Sequence, residues 1–262
     1  KRNPYYHRVD INGRQLPYID EVAITIASAK LIPAKTGAGE ADLQALSLSF
    51  SDYTFLKQGE QRNDFTVNLW RTARGAHIAL FPNLNTTDPE WQSLFRNANF
   101  RRALSIATNR HEINQVIYFG LAYEGNNCPL PQSPLFNNEF SKRWTEFDVH
   151  AANRILDNLG LTKYNSRGIR LLPDGRPMEI IVETAGEDSE QADVLELVHD
   201  SWMQIGIKIY TKPLQRQVLR NRIFAGSTLI SVWFGLENGI PTPVSSPSEL
   251  APTDQNQFQW PK

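Results

Sequence analysis

Five histidines, a single cysteine and a short acidic run are the residues here whose types could do chemistry, and their spacing assigns them little. His7, His77, His111, His150 and His199 are scattered along the chain. His111-Glu112 opens like a zinc-protease helix, but Gln115 stands where the second histidine ligand is needed. No metal is expected there, and His111 reads as an exposed residue at a helix start. Cys128 has no second cysteine to pair with, which excludes an internal disulfide and a cysteine-rich metal site. Gly37-Ala38-Gly39 lacks the third glycine and the long following helix of a dinucleotide loop. Neither a phosphate-loop lysine nor a Gly-x-Ser-x-Gly nucleophile elbow is present. Glu183, Glu187, Asp188 and Glu190 could form paired carboxylates. They read better as acids gathered at a helix start, where the macrodipole favours them. The expectation is therefore no cofactor, no metal and no catalytic residue. The competing enzyme reading is a hydrolase using Glu183, Glu187, Glu237 or His77, and it lacks a nucleophile or a metal constellation.

One loop is better equipped to hold a ligand than to transform one. Trp233-Phe234-Gly235-Leu236-Glu237-Asn238-Gly239 follows a buried strand. Aromatic faces bury area at low entropic cost, and the carboxylate and amide can fix orientation. Trp233, Phe234, Gly235, Glu237 and Asn238 are the first candidates. The alternative places Trp233 in the core and Glu237 in solvent. Arg71 and Arg74 beside Gly75, and Tyr123 with Asn127 at the mouth of a proline-rich loop, are further candidates. Core packing or plain exposure competes for each of them. Trp70, Trp91 and Trp202 lie at core-like spacings and read as structural.

The elements that must position this loop are legible from periodicity and capping. Residues 21–27 (EVAITIA) alternate and predict a strand, as do residues 65–70 paired with 77–81. Residues 29–31 begin a short helix that Pro33 ends, 41–48 fit strand and helix equally, and 51–58 predict a helix with Gly59 beyond its end. Asp88-Pro89-Glu90 carries three helix-start signals. Residues 101–108 predict a second helix, and Asn109 starts a third that Gly120 stops. Pro129, Pro131 and Pro134 make 126–138 a long loop. Asp148 caps a helix with Ala152, Ile155, Leu156 and Leu159 on its apolar face. Residues 173–176 form a hairpin turn between 169–172 and 178–183. Residues 189–203 predict an amphipathic helix with Val194, Leu197, Val198 and Trp202 inward. A strand at 207–211, a helix at 214–224 and a strand at 229–233 complete a βαβαβ unit, whose strand ends should open on a crevice.

Bulk properties bound the partners. The 262 residues are 40% hydrophobic and 21% charged, with 27 basic and 28 acidic side chains giving a net charge of −1. That is ordinary globular composition. The balance offers no electrostatic reason for a nucleic-acid partner, and the apolar runs are too short for membrane insertion. Neither end carries a starting or terminating feature, and the chain reads as a fragment without a signal peptide.

Four stretches together resemble bacterial extracellular solute-binding protein family 5, the dipeptide and oligopeptide class that serves ABC importers. The first is Asn3-Pro4-Tyr5-Tyr6 with Leu16-Pro17-Tyr18-Ile19-Asp20. The second runs from Phe81-Pro82-Asn83 to Phe100-Arg101-Arg102-Ala103-Leu104, with INQVIYFG at 113–120. Phe147-Asp148 with Ile155-Leu156-Asp157-Asn158-Leu159-Gly160-Leu161 is the third. Trp202 with Ile205-Gly206-Ile207-Lys208-Ile209, followed by Trp233, is the fourth. The resemblance implies an α/β fold, a periplasmic-binding-protein-like lobe (type II, cluster C) with a mixed β-sheet flanked by helices. It implies a hinge-proximal segment at 1–25, a second ligand-binding lobe at 26–236 and a hinge-return segment at 237–262. It also implies periplasmic capture of a peptide or small-molecule ligand for ABC transporter permease subunits. A peptide-recognising chaperone or sensor on the same scaffold is the other non-enzymatic reading. By register, the position that takes a peptide's amino terminus in relatives is Leu236, with Glu237 next to it, and the position that takes its carboxylate falls near Ala185. Both departures favour an oligosaccharide-like ligand or a longer peptide held by its backbone.

Overall fold

The computed structural model describes residues 1–186, 189–251 and 253. These residues form two compact units that divide between Leu69 and Trp70.

The first unit is mostly loop. Arg2 N–H donates to Asp20 O at 2.7 Å, and the Tyr18 hydroxyl donates to Asp10 at 2.6 Å. A 3₁₀ turn at Ala29–Leu31 runs into α1 (Ile32–Gly37). Pro33 therefore does not end a helix; it lies in the first turn, where its missing N–H is no loss. A Ser49-capped turn leads into α2 (Tyr53–Asn63). Gly59 does not lie beyond the helix end: α2 runs through it, and the Phe65 ring and the Gly37 carbonyl approach where a side chain would stand. Residues 21–27 and 65–70 are not strands. Their alternation is real, but Val22, Ile24 and Ile26 are exposed and no neighbouring strand pairs with them among the described residues. Alternation defines a face, and only a partner makes a strand.

The second unit holds the sheet. It runs β1 (Ala79–Pro82), α3 (Pro89–Arg96), α4 (Ala98–Ile106), α5 (Arg110–Tyr118), α6 (Asn138–Lys142), α7 (Val149–Asn158), β2 (Glu179–Thr184), α8 (Glu190–Met203), β3 (Lys208–Pro213), α9 (Arg216–Phe224), β4 (Ile230–Trp233) and α10 (Pro247–Leu250). The four strands lie in the order β1-β4-β2-β3. β2 is parallel to both β3 and β4, and β1 is antiparallel to β4 with Ala79 opposite Trp233. The predicted βαβαβ unit is present. The strand near 77–81 pairs with β4, not with 65–70.

Aliphatic residues on one face of the sheet, Ile180, Val182, Ile209, Ile230 and Val232, are buried with Trp91, Phe95 and Phe100 of α3 and α4, Leu156 of α7 and Trp202 of α8. A smaller cluster, Ala185 with Leu219 and Ile223 of α9, packs against Leu214 and Trp233. On α8 Val194, Val198 and Trp202 are buried as the periodicity predicts, Leu195 joins them, and Leu197 is half-buried.

The helix starts come from their caps. Asp88 Oδ1 accepts from the N–H groups of Glu90 and Trp91, Asn109 from Glu112 and Asp148 from Ala151. Asp88 also binds both terminal nitrogens of Arg176, at 2.7 and 3.0 Å, across to the 173–176 turn. The Arg176 guanidinium holds the Asp88 carboxyl below the usual carboxylate range, helped by the two helix N–H groups. The native value is depressed, so this stabilisation is complete above about pH 4 and fades as pH falls through the native value. Asp88→Ala is expected to cost about 1–2 kcal/mol at pH 7. In urea denaturation the gap between wild type and variant should narrow toward pH 3; an equal gap at both pH values would show that the charge contributes nothing.

Candidate functional site

Because β2 is flanked by β3 on one side and β4 on the other, the C-terminal ends of all three parallel strands lie on one edge of the sheet. The connection from β2 goes to β3, and the next crosses back to β4. Crevices form where strand order reverses in this way. The start of antiparallel β1 lies on the same edge, opposite Trp233. The segments before β1 and after β4 therefore meet there.

They meet through backbone hydrogen bonds that extend the β1–β4 pairing. Gly235 N–H donates to Ala76 O at 2.9 Å, Gly75 N–H to Leu236 O at 2.8 Å, and Gly239 N–H to Ala73 O at 2.6 Å. The proline-rich loop lies against this ribbon. Leu130 N–H donates to Gly239 O at 2.6 Å, and Asn127 Oδ1 accepts the Leu236 N–H at 2.8 Å. A Cβ on Gly235 would stand 2.2 Å from Asn127 Oδ1. The glycines of this loop serve close packing of three segments.

On this frame the aromatic residues are layered with cations. The Arg74 guanidinium lies over the Phe234 ring, 3.7 Å from its centroid. Phe234 and Trp233 are 5.5 Å apart and inclined at 60°. Arg216, at the start of α9, lies over Trp233 at 4.9 Å. His77 Nε2 and Glu190 Oε1 are 3.0 Å apart, the Tyr118 hydroxyl donates to the same carboxylate oxygen, and the His77 ring stands 6.3 Å from Phe234. Burial pushes the Glu190 carboxyl up, but the His77 and Tyr118 hydrogen bonds outweigh it and hold the group below the usual range.

Among the sequence candidates, Arg74, Asn127, Trp233, Phe234 and Gly235 come together in this one ribbon. Trp233 is half-buried against the α9 cluster, so it is both packed and part of the edge. Asn238 is turned to the C-terminal side, donating to Ser246 Oγ at 2.6 Å. Glu237 is exposed, and Glu249 of α10 is raised by burial while accepting backbone bonds from residues 237 and 238. Arg71 and Tyr123 are exposed, and no contact draws either to the ribbon among the described residues.

The described members of the acidic run are tied up separately. Glu183 is buried on β2, bound by Arg222 at 2.7 Å and by the Thr228 hydroxyl at 2.7 Å. Glu190 belongs to His77 and Tyr118, and Glu187 and Asp188 lie outside the described residues. Each imidazole for which a bond is seen faces a carboxylate: His77–Glu190, His111–Glu124 and His199–Asp200. Among the described residues no group of three or more His, Cys, Asp or Glu converges as a metal site. Burial raises the Cys128 thiol above its usual value, which disfavours the reactive thiolate. Sequence reasoning missed Arg216 and the pairing of His77 with Glu190 and Tyr118. These residues come from separate elements and no local spacing links them.

A mixed sheet flanked by helices is the architecture of a periplasmic-binding-protein lobe. The chain belongs to the bacterial extracellular solute-binding proteins, family 5, matching the family's middle region over residues 1–257. It is 24% identical over 241 residues to the "Periplasmic alpha-galactoside-binding protein" of Rhizobium meliloti, covering 82% of this chain and 32% of that protein. It is 26% identical over 221 residues to the "Probable ABC transporter-binding protein" of Deinococcus radiodurans, covering 80% of this chain and 36% of that protein. The solved structure of an oligopeptide-binding protein OppA superposes with a TM-score of 0.71 at 33% identity, covering 98% of this chain and 41% of that one. The chain thus spans about a third of the length of the curated relatives it matches.

Proposed function

We propose that this chain is part of the substrate-binding component of an ABC importer, which captures an oligopeptide or oligosaccharide-like solute in the periplasm and delivers it to the permease. Residues 26–236 would form the second lobe, with 1–25 and 237–262 nearest the hinge. The observation that carries this reading is the ribbon of Arg74, Phe234 and Trp233 on the open edge of the sheet, which offers aromatic and cationic surface without an activated nucleophile. Such surfaces bind and orient. The relatives are named for binding oligopeptides and alpha-galactosides, and both ligand classes suit a ribbon of this kind.

The role is that of a binder, not an enzyme. A calorimetric titration of the full-length protein against short peptides and oligosaccharides is expected to show saturable binding, with the ligand recovered unchanged by chromatography. Conversion of the ligand by the purified protein would overturn the reading in favour of a hydrolase, and absence of saturation by either class would remove its basis.

A further inference from the structure

Seven arginines among the described residues are buried or half-buried: Arg2, Arg74, Arg101, Arg102, Arg110, Arg170 and Arg222. Six of them have found acceptors. Arg2 donates to Gln15, Arg101 to the Phe95 carbonyl, Arg102 to Asn99, Arg110 to Ser105, Arg170 to Asp157 and Arg222 to Glu183. Arg74 differs. Its guanidinium is stacked on Phe234, and none of its N–H groups meets a protein acceptor among the described residues. A guanidinium carries five donors in a planar fork. Stacking uses the face of that plane and leaves the donors at its rim to point elsewhere.

The acids that could neutralise it are otherwise placed. Glu190 is held by His77 and Tyr118, and Glu183 by Arg222 and Thr228. Glu249 accepts the backbone N–H groups of residues 237 and 238. Glu237, though in the same loop, forms no ion pair with Arg74 among the described residues. The stack is also rigidly backed: Gly75 and Gly235, next to Arg74 and Phe234, are pinned by the ribbon hydrogen bonds and by the Asn127 amide.

From this geometry we infer that Arg74, stacked on Phe234, is the specificity-determining residue of the site and takes a carboxylate of the solute. This deepens the binding reading and rests on it. The planar fork matches a carboxylate bidentately, and Phe234 holds the fork in place before the ligand arrives. The carboxylate could come from a peptide C-terminus or from an acidic sugar, and the two sources are separable by experiment.

The test uses full-length protein in calorimetric titrations with two matched pairs. One pair is tetra-alanine and tetra-alanine amide; the other is trigalacturonic acid and the neutral trisaccharide raffinose. The acidic member of one pair is expected to bind at least tenfold more tightly than its neutral counterpart, and the responding pair identifies the source. Arg74→Gln should abolish that preference by lowering the acidic member's affinity at least tenfold, more than it lowers the neutral member's. Arg74→Lys should restore part of it, since the charge returns without the stacked fork. Melting curves of both variants verify that they fold. If the neutral members bind as well as the acidic ones, or if Arg74→Gln weakens both equally, the carboxylate assignment fails and the binding reading stands. If no member of either pair binds, both fail together.

Discussion

Arg170→Met is expected to lower stability by about 3–5 kcal/mol, the range for breaking a buried charged network by removing one partner. Arg170 is wholly buried. Its guanidinium ties together two separate stretches through four acceptors: Asn153 Oδ1 at 2.7 Å and Asp157 Oδ1 at 2.6 Å on α7 with the Leu161 carbonyl just after that helix, and the Ile205 carbonyl at 2.9 Å before β3. The Tyr164 ring covers it from 4.8 Å. Asp157 is about half-exposed, at 48% of its side chain, so it can turn to water when its partner is lost. The two carbonyls cannot, and an unpaired buried acceptor costs about 1–3 kcal/mol each. Methionine retains much of the apolar volume, which isolates the lost hydrogen bonds from a cavity effect. A melting temperature roughly 10 °C below wild type follows for a domain of this size. A shift within two degrees would show that water replaces the guanidinium and that the network does not hold α7 to the sheet.

That network also shows where reading the sequence stops. The local signals were legible: Asp88, Asn109 and Asp148 each cap a helix as their spacing predicts, and the order of β2, α8, β3, α9 and β4 follows from periodicity and turn residues. These depend on groups a few residues apart. Residues 169–172 read as one arm of a hairpin, which they are. Nothing in that pattern marks Arg170 as buried, because its acceptors come from other segments. The same limit explains residues 65–70, whose alternation matches a strand but which pair with none among the described residues, and the pairing of β1 with β4 across most of the chain. At the candidate site the aromatic loop was legible as a loop between signals. The stack of Arg74 on Phe234 and of Arg216 on Trp233 required knowing which edge of the sheet each segment reaches.

Gly235 allows the effect of the loop's packing to be separated from the effect of its chemistry. Its φ lies outside the left-handed region, so alanine can adopt its backbone conformation and the sole objection is space. A Cβ would meet Asn127 Oδ1 at 2.2 Å and Ala76 N at 2.7 Å. The amide of Asn127 could swing away, at the cost of its bond to Leu236 N–H. The Ala76 nitrogen is backbone in the segment bound to Gly235 itself, so the two strands of the ribbon must separate. Overpacking of this kind costs about 1–3 kcal/mol, and the displacement falls on Phe234 and its Arg74 stack. Gly235→Ala is expected to weaken ligand binding by at least tenfold while the protein remains folded. Gly160→Ala is the matching control: that residue has φ +82° with nothing within 4 Å of a new Cβ. Its cost should therefore be backbone strain of about 1 kcal/mol without a change in affinity. Calorimetry and thermal melts on both variants distinguish the two effects. If Gly235→Ala binds ligand as wild type does, the ribbon is not the surface that grips the solute, because a wall displaced at its most crowded point could not leave a well-fitted ligand undisturbed.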